Sequence, residues 1–310
     1  MSTKYPFTPD PVLTAIVVGY GNQAFIADEI LPRTNPIGKR DFEYTVFDKA
    51  DTRTIPSTLV GRRSRPNQVE YGSKRESASC NDHGLDDPIP QDDIDNAPTG
   101  HDPREQASEN LMEVIALDRE QRVAGIVQDS GNYDAENVLA LAGTDKFSDY
   151  ENSDPLQVLL DAISKPLITP DHACLSHPAW NKIRMHPKIV KAVHGNSGDA
   201  GVASRRQVAD LLELEDIYVG SARYNVSRPG QVASYERVWG NHISLFNKSR
   251  SPSIRTASGF GYTVVQAARV AGTIHDPHIG MRGGEIVRVG ESVKELICDP
   301  NAGFLLQNVI

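Results

Sequence analysis

Two glycines near the N-terminus come nearest to a recognisable chemical motif. Gly19 and Gly21 lie in the stretch AIVVGYGNQA, and with Ala24 they fit the G-x-G-x-x-A pattern that holds a dinucleotide pyrophosphate after an apolar strand. Asp48 follows at about the distance expected for the acid that binds the ribose. Against this, Pro32 would end the required helix early, and no second strand–helix–strand unit follows. A NAD-dependent oxidoreductase using the Gly19/Gly21 loop is therefore an alternative hypothesis only.

Histidine and cysteine side chains offer a second chemistry, metal binding. His275 and His278 stand close together in HDPH, and Cys174 and His177 have the same spacing elsewhere in the chain. A zinc site needs three or four convergent ligands, and the chain has no HExxH helix motif to supply them. It also lacks a G-x-S-x-G elbow and a phosphate-binding G-x-x-x-x-G-K-[ST] loop. The sequence thus predicts no enzyme, no cofactor and no metal site.

Composition and charge limit the classes of protein to which the chain can belong. The chain has 310 residues and a net charge of −9, so it can bury a substantial core but does not favour a dedicated nucleic-acid binder. Its three cysteines are widely separated, which is typical of a reducing cytoplasm and not of a disulfide framework. No signal peptide and no apolar run of membrane-spanning length occurs. We therefore expect no membrane partner.

The stretch from Arg62 to Asp95 contains almost nothing apolar to bury, and its charges are segregated. Basic residues occupy its first half and acidic residues its second. Without apolar area to offset the entropy lost on ordering, it is either a disordered linker or a ribbon that orders against a neighbour. The candidate assembly-interface residues in it are Arg62, Arg63, Arg65, Lys74, Arg75, Asp86, Asp87, Asp92 and Asp93.

Strand and helix signals surround this stretch. The alternation in DFEYTVFD predicts a half-buried strand before it. After it, Asp102 as N-cap, Pro103 as first helical residue and Glu105 as the acid of a capping box predict a long helix over 103–128. Gly125 costs this helix about 1 kcal/mol relative to alanine.

The second half of the chain alternates helix and strand signals. Ser153 or Asp154 before Pro155 begins a second amphipathic helix, and Pro187 interrupts a later one. The segments VWGNHISLF, GYTVVQAARVAGTI and EIVRVGESVKELICD read as strands, and the apolar AGFLLQNVI is expected to lie in a sheet. Trp180 and Trp239 have large areas to bury and are expected to anchor the core.

This order of parts resembles the major capsid proteins of tailed bacteriophages, whose fold bacterial encapsulin compartments share. LSHPAWNKIRMHPKIVKAV, VADLLELEDIYVGSARYN and VWGNHISLF are similar to axial-domain segments of such head proteins. The resemblance implies an α+β Hong Kong 97-type capsid fold with an N-terminal arm, an extended loop across a neighbouring subunit, and peripheral and axial domains. The implied ranges are 1–35 for the arm, 36–97 for the loop, 98–165 with 284–298 for the peripheral domain and its spine helix, and 166–283 with 299–310 for the axial domain.

The resemblance also implies a structural function. Copies would form hexamers and pentamers of an icosahedral shell around packaged double-stranded DNA, contacted weakly and without sequence specificity. The expected location is the virion capsid, assembled in the host bacterial cytoplasm. Because Met1 stands directly at the arm, a separate scaffolding protein is expected, with a portal and a decoration protein as further partners. An encapsulin-like nanocompartment shell is the nearer alternative. Lys74 lies in the loop, but no asparagine partner is identifiable, so no cross-linking site is assigned.

Overall fold

The computed structural model describes residues 7–47, 53–68, 73–195, 201–228, 230–254 and 259–310. The chain begins with short elements, continues through a long hairpin and a long helix, and then alternates helices with strands. The elements of the first half are β1 (Thr8–Pro9), α1 (Pro11–Gly19), α2 (Ala27–Ile30), β2 (Asp41–Phe47), β3 (Ser73–Ser79), β4 (Asn81–Pro90), α3 (Gln91–Asp95), α4 (Pro103–Val127), β5 (Val138–Ala140) and α5 (Pro155–Ser164).

The second half is built mainly of strands. Its elements are β6 (His172–Ser176), α6 (His177–Arg184), α7 (Pro187–His194), α8 (Arg205–Leu211), β7 (Asp216–Gly220), β8 (Arg223–Asn225), β9 (Tyr235–Arg237), β10 (Ile243–Phe246), β11 (Gly261–Asp276), β12 (Gly284–Ile297) and β13 (Gly303–Gln307).

Two sheets organise these elements. One has the strand order β1-β11-β12-β4, and the other has the order β5-β13-β10-β6-β7. The C-terminal strand β13 lies between β5 and β10 with Leu305 and Leu306 fully buried, which confirms that the apolar tail lies in a sheet. Two further pairs, β2-β3 and β8-β9, form separate hairpins.

The long helix α4 begins at Pro103, as predicted, but its cap differs from the prediction. The Asp102 carboxylate accepts a hydrogen bond from the backbone N–H of Arg104 and also binds the Arg104 guanidinium. The Asp102 carboxylate does not accept from the N–H of Glu105, and the Glu105 side chain makes no return bond to the Asp102 N–H, so the predicted capping box is wrong. The Arg104 guanidinium instead donates to the carboxylate that caps the helix.

Helix α1 corrects the dinucleotide-binding hypothesis. Residues 11–19, which that hypothesis required as a strand, form a helix capped by the Asp10 carboxylate. Gly19 and Gly21 follow at its end with open space around them, and the four-residue α2 is too short to hold a pyrophosphate. Asp48 lies outside the described residues. The strand–turn–helix unit of an oxidoreductase is therefore not formed.

Strand β4 corrects the interpretation of the long polar stretch. Its residues pair with β12 from Asn81–Val293 to Pro90–Gly284, so this acidic half belongs to the sheet of its own chain. Prolines are tolerated there because β4 is an edge strand, where a missing N–H faces outward. The basic half of the stretch lies instead on β3 and in the described segment 53–68, which are not part of either large sheet.

Apolar clusters form behind each sheet. Helices α5 to α8 pack on the five-stranded sheet with Trp180, and α1 and the first half of α4 pack on the four-stranded sheet. Trp239 lies in a third cluster with the end of α4, so both tryptophans are buried as predicted. Within the described ranges, no helix combines the length and apolar character that a membrane span requires.

The predicted division into arm, loop, peripheral and axial parts stays a prediction, and the strand pairing differs from it in one respect. β11 falls within the range expected to be axial, yet it pairs along almost its whole length with β12, which was expected to be peripheral. Sequence order could not show this, because the pairing depends on a hairpin turn at 277–283 that ends at the expected boundary.

Candidate assembly surfaces

The hairpin β2–β3 is fixed at its base and free at its end. Phe42 and Tyr44 pack against Tyr262, Val264 and Leu296 of the four-stranded sheet. The Tyr44 hydroxyl donates to Glu76 at 2.8 Å, and burial together with this carboxylate raises the pKa of Tyr44 to about 12. Phe42 and Tyr44 belong to the seven antiparallel pairs of the hairpin, and the three pairs beyond Tyr44 extend it from this anchor by about 10 Å.

Residues 53–68, here called the loop tip, are exposed throughout. Ile55 and Leu59 each expose 89% of their surface, although side chains of this size are usually packed. Arg62, Arg63 and Arg65 are also exposed, and no carboxylate pairs with them in the described part of the chain. The tip therefore offers apolar area and positive charge that its own chain does not cover.

The other predicted basic residues lie on strand β3 and not at the tip. Arg75 is exposed, with its Nη1 atom 3.7 Å from the Glu43 carboxylate across the hairpin. Lys74 occupies the neighbouring strand position. The structure thus separates the basic group into three residues at the tip and two on the strand, which we do not expect to contact the same partner.

The predicted acidic residues are partly used within the chain. Asp86 accepts two hydrogen bonds from Arg288 across the β4–β12 pair, at 2.6 and 2.5 Å, and these lower the pKa of Asp86. Asp92 lies 2.7 Å from Arg282. Asp87 is half-buried and Asp93 is exposed. Only Asp87 and Asp93 are therefore left as acidic candidates for contacts with another copy.

A buried network of charges, which sequence reasoning missed, joins the N-terminal segment to the four-stranded sheet. Arg33 binds the Glu291 carboxylate at 2.7 and 3.3 Å, and Arg269 approaches it to 3.6 Å. Arg119 of α4 binds Asp28 at 2.6 Å. Burial alone would raise the pKa of Glu291, but Arg33 and the neighbouring arginines lower it. The network therefore holds residues 28–33 against the helix and the sheet.

Glu120, the neighbour of Arg119 on helix α4, also holds the N-terminal segment in place. Its carboxylate accepts hydrogen bonds from the backbone N–H groups of Ile26 and Ala27 and from Trp239 Nε1 at 2.6 Å. Burial raises the pKa of Glu120. One fully buried side chain thus ties the N-terminal segment, the long helix and the base of the β8–β9 hairpin together.

The metal-site candidates are not brought together. Cys174 is buried in an apolar cluster and burial raises the pKa of its thiol to about 12, while His275 and His278 are exposed at one end of β11. In the part of the chain that the structure describes, a different trio, Asp171, His172 and Glu215, could converge on a metal ion. Arg250 already pairs with both carboxylates of that trio, which opposes a cation.

Solved structures share this architecture over nearly their whole length. A phage-related protein from Bordetella bronchiseptica RB50 has a TM-score of 0.76 at 21% identity and covers 98% of each chain. The capsid of cyanophage P-SCSP1u has a TM-score of 0.60 at 11% identity, over 99% of this chain and 92% of that one. The fold is the α+β Hong Kong 97-type capsid fold, as the sequence predicted.

Sequence similarity then gives the family. The major capsid protein of Pseudomonas phage JBD67 is 47% identical over 305 residues, 98% of both chains. No family model matches. The chain belongs to the family of phage major capsid proteins. Its function is structural: copies associate with one another to form the capsid of the virion, and neither the oxidoreductase nor the nanocompartment hypothesis is supported.

Proposed function

We propose that copies of this chain join into hexamers and pentamers, which close an icosahedral head around packaged double-stranded DNA. The observation that supports the proposal most is the loop tip. Ile55, Leu59 and four arginines are exposed there, and within the described residues no carboxylate pairs with Arg62, Arg63 or Arg65. Such a segment gains order when a neighbouring copy supplies the apolar area and opposite charge.

The anchoring of the hairpin supports the same proposal. Phe42 and Tyr44 fix its base in a buried cluster, so the strands that lead toward the loop tip start from a fixed position. A contact made by a rigid arm loses less conformational entropy than one made by a free linker. Each exposed ion pair contributes only about 0 to 1 kcal/mol, but a shell repeats it on every subunit. These charges would thus contribute more to the correct alignment of neighbouring subunits than to the affinity between them.

The further partners belong to this proposal as well. A net charge of −9 opposes tight binding of a polyanion, which supports weak DNA contact without sequence specificity. Three buried thiols without disulfides support assembly in the reducing bacterial cytoplasm. Membership of the family supports a scaffolding protein, a portal and a decoration protein as partners of the shell.

Electron microscopy and absorbance test the two halves of the proposal separately. We expect negative-stain images of the purified, assembled protein to show closed particles built of five- and six-membered rings. Particles isolated from phage-producing cells should absorb more strongly at 260 nm than at 280 nm, because they hold DNA. If the chain yields only monomers, the proposal that it forms a shell is contradicted. If closed particles show the absorbance of protein alone, the proposal that the shell holds DNA is contradicted.

A further inference from the structure

Within the described residues, the five-stranded sheet leaves two edges open, and different segments of the chain adjoin them. β5 lies at one edge and β7 at the other, and within the described residues neither pairs with another strand on its outer side. β5 runs parallel to β13, β13 and β6 run antiparallel to β10, and β7 runs parallel to β6. β5 and β7 therefore point the same way, and the segments that follow them leave from the same end of the sheet.

A short hairpin follows the β7 edge. It consists of β8, β9 and the turn between them, and we call residues 223–237 the arginine hairpin. Its base is anchored, because Trp239 packs on Gly220 at the end of β7 and donates to Glu120 of the long helix. Beyond this base, Val232 exposes 92% and Tyr235 64% of their surface. The hairpin thus has a fixed root and an uncovered apolar end.

One face of the arginine hairpin carries unbalanced positive charge. Arg223 and Arg237 are directly opposite each other on β8 and β9, and like charges in that position destabilise a strand pair. In the described part of the chain, no carboxylate pairs with either of them. Burial and the charge of Arg223 lower the pKa of Arg237. Glu236, the acid nearest in sequence, lies on the opposite face with Tyr224.

The β5 edge carries the complementary charge. Glu136 lies in the turn before β5, and Asp145 lies in the turn after it. Both are exposed, and no cation of the described residues pairs with them. Lys146 is already engaged with the carbonyl oxygen of Ile310. Between the two acids, Leu139 exposes 42% of its surface beside an unpaired strand edge.

We propose that the arginine hairpin of each copy docks on the β5 edge of the next copy around a ring of the shell. A closed ring of identical subunits needs two different complementary surfaces on every subunit. The hairpin and the β5 edge fit that requirement, because the hairpin follows one edge strand of the sheet, β5 forms the other edge, and the two surfaces have opposite charge and exposed apolar side chains. The inference rests on the proposed ring assembly and names the surfaces that make it.

Charge reversal tests the inference. The hairpin variant carries Arg223→Glu and Arg237→Glu, the edge variant carries Glu136→Lys and Asp145→Lys, and a combined variant carries all four changes. We expect each reversal alone to lower the yield of closed particles at least about tenfold, because every ring contact then joins like charges. The combined variant restores opposite charge at every contact, keeps the net charge of −9, and should assemble to within about twofold of the parent.

Mixing the hairpin variant with the edge variant gives a sharper test. In a six-membered ring the two variants can alternate, so that every contact joins opposite charges. A five-membered ring has an odd number of subunits, so at least one contact joins two copies of the same variant and therefore like charges. We therefore expect the mixture to form sheets or tubes rich in sixfold rings and few closed shells. The combined variant should close normally, because all its subunits are identical.

Two results would overturn the inference. One is normal closed particles from either reversed variant, including the case in which only DNA content falls because the arginines face DNA phosphates. The other is a combined variant that remains folded but does not recover assembly. Circular dichroism of free subunits checks folding, which the hairpin variant should retain, since Glu–Glu replaces one like-charged pair by another. If the parent chain itself forms no particles, the proposed function fails instead.

Discussion

Glu291 lies in the middle of strand β12, yet only 4% of its surface is exposed. Arg33 binds both of its carboxylate oxygens, and Arg269 lies 3.6 Å from one of them. Because these arginines lower its pKa against the effect of burial, the carboxylate stays ionised in the folded protein. A buried pair of this kind contributes little compared with an apolar core, but breaking it leaves a charge with no partner.

Replacing Glu291 with glutamine should therefore destabilise the unassembled subunit by about 3 kcal/mol at pH 7. The pKa of Glu291 is lower in the folded chain than in the unfolded one, so its contribution is present above pH 4.5 and is lost as the pH falls through the folded value. The difference between parent and variant should accordingly shrink in acid.

Urea unfolding of both proteins at pH 7 and at pH 3.5 measures this difference. Glu109→Gln, on the exposed face of α4, is the matched control and should change the free energy of unfolding by less than about 0.5 kcal/mol. A loss that is equal at both pH values would show that the carboxylate charge has no role in stability.

At the scale of elements, two glycines differ in whether their surroundings leave room for a side chain. Gly125 lies on the exposed side of helix α4, and nothing lies within 4 Å of a Cβ placed there. A Cβ on Gly220, at the end of β7, would come 2.1 Å from Trp239 Cδ1. The first position accepts alanine freely, whereas the second would push Trp239 away from Glu120.

The two alanine substitutions should therefore have opposite signs. Gly125→Ala should stabilise the subunit by about 0.5–1 kcal/mol, since alanine loses less backbone entropy in a helix. Gly220→Ala should destabilise it by about 1–3 kcal/mol through overpacking. Thermal unfolding of the two variants beside the parent measures both effects, and a Gly220→Ala variant as stable as the parent would contradict the packing described for Trp239.

The loop tip gives a prediction about assembly and not about folding. Changing Arg62, Arg63 and Arg65 to Glu should leave a folded subunit, because these side chains are exposed and no carboxylate of the described residues pairs with them. Particle yield should fall at least about tenfold, since the tip then repels the acidic surface of a neighbour. The triple lysine variant keeps the charge and should assemble like the parent. Normal yield from the triple glutamate variant, measured by sedimentation, would contradict a docking role for the tip.

Capping residues and hydrophobic alternation predicted correctly the helices and strands that depend on nearby residues alone. The cap and proline at 102–103 predicted helix α4, and the alternation in 41–47 predicted β2. They did not reveal helix α1, whose β-branched residues fit the strand of the dinucleotide-binding alternative. The Asp10 carboxylate caps this helix, and Thr14 donates a hydrogen bond to the Ala271 carbonyl. The same signals also failed for β4, because pairing with a distant strand, not its own side chains, forms it.

At the scale of the whole molecule, the order of parts predicted the capsid fold better than any single residue. The candidate interface was predicted less completely. The exposed arginines of the loop tip were found because the segregation of charge is visible in the sequence. Asp86 and Asp92 pair with Arg288 and Arg282, and only the folded chain reveals these ion pairs. The buried network of Arg33, Arg119 and Glu291 was missed for the same reason, since its members are far apart in sequence.

Protease protection of the loop tip tests most directly whether other copies complete this chain. Trypsin can cut the tip after Arg53, Arg62 and Arg63, whereas Pro66 blocks cleavage after Arg65. We expect rapid cleavage at these three bonds in free subunits and cleavage at least about a hundredfold slower in closed particles, measured by mass spectrometry, because a neighbouring copy covers the tip. Equal cleavage rates in free subunits and in particles would contradict the account.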